Sequence, residues 1–159
     1  MIKVFIDGSA GTTGLRIRGM LEKRADVSLI TLSEEARKDT AARKDALNTA
    51  DVAFLCLPDD AAREAVSLVE NDDTIVIDAS TAHRTSPAWA YGFPELSAQH
   101  RAAIAHGKRI ANPGCYASGF IALVYPLIAA GVAAKDYPFV CHAVSGYSGA
   151  GKKGIAEYE

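Results

Sequence analysis

At 159 residues, with 49% apolar content and both charge signs interspersed, the chain is long enough to bury one sizeable core, which excludes a disordered segment. A formal charge of -2, a pI near 6.1 and the lack of any Lys/Arg run with interleaved aromatics supply no basic field, so nucleic acid is not an expected partner. Cys56, Cys115 and Cys141 are odd in number, widely spaced and without a C-x-x-C pair, which excludes a disulfide framework and any zinc-type metal site.

Met1 leads directly into the apolar run Lys3 to Ile6, with no Arg-rich leader and no stretch long enough for a signal peptide or membrane span. A cytoplasmic location without membrane contact is the expectation. Further short apolar runs follow at Val27 to Leu32, Val52 to Leu57, Thr74 to Ile77 and Arg109 to Ala111, bounded by Gly, Pro, Asp or Asn, and read as strands. Between them Thr13 to Arg24, Ser33 to Leu47, Asp60 to Val69 and Leu96 to His106 carry apolar residues at helical spacing. Strands apolar on both faces, alternating with helices, predict an α/β Rossmann-type, mostly parallel sheet with helices on both faces. After residue 114 the character changes: an apolar helix from about Ala117 to Ala130, a Pro138-to-Ser145 strand, the Gly-rich stretch 145–151, and a short polar tail from Lys152 to Glu159. The expected organisation is a nucleotide-binding domain over 1–114 and, over 115–159, the beginning of an α+β substrate domain.

Directly after the first strand stand Gly8, Ser9, Ala10, Gly11, Thr12, Thr13 and Gly14, a G-x-x-G-x-x-G turn opening a helix. Glycines allow close approach to a dinucleotide pyrophosphate, and the unpaired amides at the helix N-terminus, with the positive end of its dipole, stabilise the anion. A loop that merely needs positive φ is the competing reading. At the end of the second strand an NAD enzyme usually carries an acidic residue for the ribose hydroxyls; here Thr31, Leu32 and Ser33 stand instead, with Arg37 and Lys38 following. Ser33 and Arg37 suit a 2′-phosphate, which favours NADP(H) over NAD, against the competing reading of a solvated helix face and the nearby Glu34 and Glu35.

Asn112, Pro113, Gly114, Cys115 and Tyr116 follow a short strand and precede the long apolar helix, which places Cys115 in or near its first turn. There the macrodipole and unsatisfied amides favour a thiolate and can hold the oxyanion of an adduct, while Gly114 leaves the sulfur approachable. Cys56 and Cys141 sit in strand-like runs and read as small buried hydrophobes. A thiolate beside a nicotinamide points to reduction of an acyl phosphate through a thioester, with release of phosphate.

These residues resemble the N-acetyl-gamma-glutamyl-phosphate reductases of arginine biosynthesis, the shorter-chain branch most closely. The resemblance spans the chain and rests on Gly8 to Gly14, on 54–58 (FLCLP), 78–84 (DASTAHR), 91–96 (YGFPEL), 112–116 (NPGCY) and 145–151 (SGYSGAG). It implies that Cys115 is the nucleophile, that Gly8 to Gly14 hold NADP, that Ser80 and Arg84 lie near the cofactor or substrate phosphate, and that the loop from Ser145, with Ser148 and Gly149, borders the nicotinamide. Arg84 and Asn112 are the expected substrate-binding residues. Arg84 suits an anion through its planar fork, the alternative being an exposed loop arginine; Ser80, beyond a strand's C-terminal end, suits a ligand, the alternative being a turn cap. Glu95 reads as a helix-dipole partner rather than a substrate residue.

The family's acid/base is a histidine of the second domain in chains about twice this length, and His83, His100, His106 and His142 do not match its motif. His142 reads as a satisfied strand residue. The resemblance further implies a homodimer or homotetramer. Aspartate-semialdehyde dehydrogenase, with the same chemistry but different neighbours beside its cysteine, and a non-catalytic nucleotide sensor are the rival readings.

Overall fold

A computed structural model describes residues 1–146, 149 and 151–159 of the chain. Among them, β1 (Ile2–Asp7), β2 (Val27–Ile30), β3 (Val52–Leu55), β4 (Ile75–Asp78), β5 (Ala90–Tyr91) and β6 (Arg109–Ala111) form one sheet in the order β2-β1-β3-β4-β6-β5. Every neighbouring pair is parallel. Parallel neighbours need crossover connections, and α1 (Thr12–Leu21), α2 (Thr40–Thr49), α3 (Asp59–Ser67) and α4 (Ala98–His106) supply them. The result is the expected Rossmann-type α/β layer.

The core lies where small residues let helices approach the sheet: Ala53, Ala62 and Ala65 have no exposed surface, and around them pack Phe5, Leu47, Leu55 and Val76. Burying each of the larger side chains contributes about 2 kcal/mol. Strand order reverses between β1 and β3, both paired from the centre outward, and such a switch point opens a crevice beyond the strands' C-terminal ends. The glycine turn follows β1 there.

Local chemistry displaces several expected boundaries. The single helix expected over Ser33 to Leu47 is two pieces. Ser33 Oγ accepts from the Ala36 amide (3.2 Å), a 3-10 turn spans Ala36–Lys38, and Asp39, extended at ψ 118°, caps α2 by accepting from the Ala41 amide (3.0 Å). Side-chain capping competes with helix continuation at both positions. Ser97 likewise caps α4, so Glu95 lies before the helix and is exposed rather than in its first turn.

Beyond β6, α5 (Cys115–Ala129) begins on Cys115 itself, with Gly114 extended at its N-cap. The strand expected over 138–145 does not form, because its backbone meets no partner strand, and Val140 and Val144 are 81% and 97% exposed. His142 is exposed on that segment instead of being satisfied within a strand. The expected polar tail is instead α6 (Gly151–Tyr158).

Candidate active site

The glycine turn is shaped by its backbone. Gly8 has φ +86°, and a Cβ there would stand 2.2 Å from the Cys56 carbonyl oxygen; a Cβ on Gly14 would stand 2.4 Å from the Gly8 carbonyl oxygen. Both are backbone collisions that no rotamer relieves. The Gly11 amide donates to the Gly8 carbonyl (3.0 Å) and the Leu15 amide to the Gly11 carbonyl (2.9 Å), while the amides of Thr12, Thr13 and Gly14 have no acceptor among the described residues. Gly11 provides no side-chain cap and no acidic residue occupies the first turn of α1. A helix N-terminus with three such donors and no acidic residue in its first turn has the chemistry to receive a phosphate.

Against this turn lies a cavity of about 240 Å³ lined by Gly8, Ser9, Ala10, the ends of β1 and β2, and the guanidinium-bearing Arg18, Arg37 and Arg43. Arg37, expected from the sequence, stands on the 3-10 turn with Nε donating weakly to the Leu32 carbonyl (3.4 Å). Ser33 does not line the cavity; its hydroxyl is engaged in the cap of that turn. Arg18 and Arg43 were not anticipated. Arg18 looks like a surface partner of Glu22 (2.7 Å), four residues on, and only the fold turns it toward the crevice. Arg43 is nearly buried and donates through Nε and Nη2 to Asp7 Oδ2 (3.1 and 3.0 Å), the residue that ends β1. Burial holds the Asp7 carboxyl above its ordinary range, opposed by the Arg43 hydrogen bond and charge.

The second half of the site is built where β4 and β6 end. The Asp78 carboxylate, without exposed surface, accepts from the Ser80 amide (2.9 Å), the Ser80 hydroxyl (2.7 Å) and lies 2.6 Å from His83 Nδ1. His83 stacks on Trp89, ring centroids 4.1 Å apart and planes 12° from parallel. Ser80 therefore caps a turn, its oxygen also accepting from the Ala82 amide (3.1 Å). Thr81 binds the Asp59 carboxylate through its amide (2.9 Å) and its hydroxyl, and this holds the Asp59 carboxyl below its usual range.

Arg84 closes the arrangement. Its Nη2 donates to the Ala79 carbonyl (3.1 Å) and its Nε to the Asn112 carbonyl (3.0 Å), bracing the loop after β4 against the loop before α5. Its Nη1 lies 2.8 Å from where a Cβ on Gly114 would stand. The absence of a Cβ at Gly114 leaves room for the guanidinium at this place, in addition to leaving the sulfur accessible. The Asn112 amide donates to the Asp78 carbonyl (2.8 Å), and its side chain to the Pro113 carbonyl (3.2 Å).

Cys115 is exposed at the head of α5. The first intrahelical bond runs from the Ser118 amide to the Gly114 carbonyl (2.9 Å), so the amides of Cys115, Tyr116 and Ala117 have no acceptor among the described residues. Cys115 faces a cavity of about 650 Å³ shared with Phe120, Phe139, Cys141, His142, Ser145 and Gly149. Ser148 lies outside the described residues. Cys56 is half-buried beneath the glycine turn, and burial with the nearby Asp78 and Asp7 carboxylates pushes its thiol up to about 11. Cys141 is exposed rather than buried. The Asp78–His83–Trp89 cluster had no clear sequence signal, since its members meet only when the chain turns back after β4.

The pattern described as "Semialdehyde dehydrogenase, NAD binding domain" matches residues 3–104, and "Semialdehyde dehydrogenase, dimerisation domain" matches 115–159. A protein of Chelativorans sp. (strain BNC1) named N-acetyl-gamma-glutamyl-phosphate reductase is 56% identical over 157 residues, 99% of this chain and 51% of its own length. A protein of the same name from Burkholderia orbicola (strain MC0-3) is 56% identical over 98% of this chain and 50% of its own length. The chain thus spans about half the length of the curated relatives it matches. Among solved structures, aspartate semialdehyde dehydrogenase II of Vibrio cholerae, complexed with ASA, superposes with a TM-score of 0.69 at 18% identity, over 99% of this chain and 50% of that one. The Candida albicans aspartate semialdehyde dehydrogenase with NADP gives 0.58 at 19%, over 82% and 47%. At such identities these two likenesses speak to fold alone.

Proposed function

The chain belongs to the semialdehyde dehydrogenase family, and from that premise we propose that it carries the cofactor site and the nucleophile of an NADPH-dependent reductase that converts N-acetyl-glutamyl 5-phosphate to N-acetyl-glutamate 5-semialdehyde and phosphate, a step of arginine biosynthesis. Residues 1–114 are then the NADP-binding domain and 115–159 the beginning of the catalytic domain. The observation that carries the reading is an exposed cysteine on the first residue of a helix, facing an open cavity, on a sheet whose switch point holds an open-amide glycine turn.

The Gly8 to Gly14 turn suits the cofactor pyrophosphate, because a Cβ at Gly8 or Gly14 would collide with backbone and the helix amides have no internal acceptor. Arg37, joined by Arg18, suits a 2′-phosphate. When bound, NADPH supplies a hydride. Cys115 Sγ attacks the acyl carbon; the S–C bond forms, the C–O bond to phosphate breaks, and phosphate departs. The open amides of Cys115 to Ala117 hold the oxyanion, and Arg84 with Asn112 receives the anionic end of the substrate. After reduction of the thioester carbon the C–S bond breaks and the aldehyde leaves, so Cys115 ends as it began. A cytoplasmic, homo-oligomeric enzyme acting on this small acyl phosphate completes the proposal; among the described residues no helix is long and apolar enough to cross a membrane.

The test uses a protein of the relatives' full length that carries this chain, and follows NADPH absorbance with NADP, phosphate and either N-acetyl-glutamate semialdehyde or aspartate semialdehyde. Phosphate-dependent turnover of the acetylated aldehyde, lost by about a thousandfold or more in Cys115→Ser, is expected. Turnover of aspartate semialdehyde alone would overturn the substrate and leave the thioester chemistry standing. No difference between Cys115→Ser and the parent would overturn the chemistry.

A further inference from the structure

Among the described residues, hydrogen bonds tie the loop that ends β4 to the loop that precedes α5 at two places. One is backbone, the Asn112 amide donating to the Asp78 carbonyl (2.8 Å); the other is Arg84, spanning the Ala79 and Asn112 carbonyls. Arg84 is half-buried and its backbone follows directly on His83, which has little freedom: one ring edge is held by the fully buried Asp78 carboxylate at 2.6 Å, and one ring face by Trp89 at 4.1 Å. Upstream, Asp59 and Arg63 of α3 hold Thr81 and Ala82 by hydrogen bonds, and the Asp59 charge also acts on Arg84 without a hydrogen bond to it. The backbone from which the Arg84 side chain leaves is thus anchored through the imidazole of the residue before it.

We propose that His83, clamped between Asp78 and Trp89, is a positioning residue that holds the Arg84 guanidinium against Gly114 and thereby sets the reactivity of Cys115. A fixed cation one residue before the nucleophile stands beside charge that develops at the reacting centre and completes an anion-receiving corner with the amides of the first turn of α5. Bidentate bracing of two carbonyls requires a fork, which is why arginine rather than lysine suits the position. The inference takes from the proposed function only that Cys115 is the nucleophile, and it is tested without substrate or cofactor.

The measurement is the iodoacetamide alkylation rate of each cysteine in the full chain, resolved by mass spectrometry. Cys141, exposed on another segment, and Cys56, half-buried under the glycine turn, serve as internal controls. His83→Phe keeps the stack and the bulk while deleting the Nδ1 contact; His83→Asn places an amide nitrogen the same number of bonds from Cα and rescues that contact. Expected is a fall of about tenfold in the Cys115 rate for His83→Phe and for Arg84→Lys, recovery to within about twofold in His83→Asn, and unchanged rates at Cys141 and Cys56. A purely structural role predicts that Cys56 becomes labelled in step with any change at Cys115, and that result would overturn the proposal. So would an unchanged Cys115 rate in folded His83→Phe. If His83→Phe fails to fold, His83→Gln, which displaces the donor by one bond, carries the same decision: a selective loss at Cys115 supports positioning, and an unchanged rate ends it. If the Cys115 rate responds to these changes as expected while the parent shows no phosphate-dependent turnover of either aldehyde, the proposed reaction falls and the positioning stands.

Discussion

Asp7 and Arg43 show how a residue with no obvious role in the sequence becomes decisive once folded. The pair lies under the nucleotide crevice with both side chains nearly buried, at 8% and 11% exposure. Burial raises the Asp7 carboxyl above its ordinary range, so the folded chain binds that proton more tightly than the unfolded one. The associated stability is present at low pH and is lost as pH rises through the folded-state value. Arg43 limits the loss by favouring the carboxylate. In Arg43→Met the carboxyl rises further, and the variant is expected to be close to the parent in stability near pH 4 but about 3 kcal/mol less stable at pH 7, since an uncompensated buried charge remains. Urea denaturation at the two pH values checks this. Asp7→Asn added to Arg43→Met should recover much of the difference at pH 7. Arg43 was invisible beforehand because α2 carries Arg43 and Lys44 side by side, and only the first turns inward; Lys44 meets Glu70 at the surface (2.6 Å).

At the level of elements, what repeats or turns tightly was legible, and what depends on a distant partner was not. The glycine turn could be recognised because its chemistry is local: positive φ at Gly8 and backbone contact at Gly14 demand residues without Cβ. Cys115 could be placed at a helix head because Gly114 and the apolar run after it announce where the helix starts. Two-residue β5 has no pattern to read, and 138–145 has the composition of a strand but no neighbour to pair with. The two halves of the expected 33–47 helix were joined wrongly because caps at Ser33 and Asp39 outweigh apolar spacing. Helix α1 offers a paired test of the turn's role. Gly14→Ala forces a Cβ against the Gly8 carbonyl and should weaken NADPH binding at least about tenfold, read by quenching or energy transfer in a fluorescence titration. Gly19→Ala, on the same helix with nothing within 4 Å of its added methyl, should leave the affinity unchanged and raise stability by up to about 1 kcal/mol. Equal affinity losses in both would mean that helix integrity, not the turn, holds the cofactor.

For the molecule as a whole, burial is divided unequally along the chain. Among the residues whose burial is described, the last buried one is Ala111, and none in α5, in the segment after it or over 154–159 is buried. Leu123, Val132, Val140 and Val144 are 73–97% exposed, on the stretch of chain that follows Cys115. Apolar surface on this scale is unusual unless another surface covers it. A second copy of the chain is the occupant we expect, because residues 115–159 match a region described as a dimerisation domain. Sedimentation equilibrium of the 159-residue chain should then show concentration-dependent self-association. The double change Leu123→Lys and Val144→Lys should suppress it with less than about 0.5 kcal/mol effect on unfolding, since neither side chain belongs to a core. Association that persists in the double variant would place the contact on another face. A drop in stability would instead mean that these side chains pack within the monomer, so that the division of burial at Ala111 does not hold in solution.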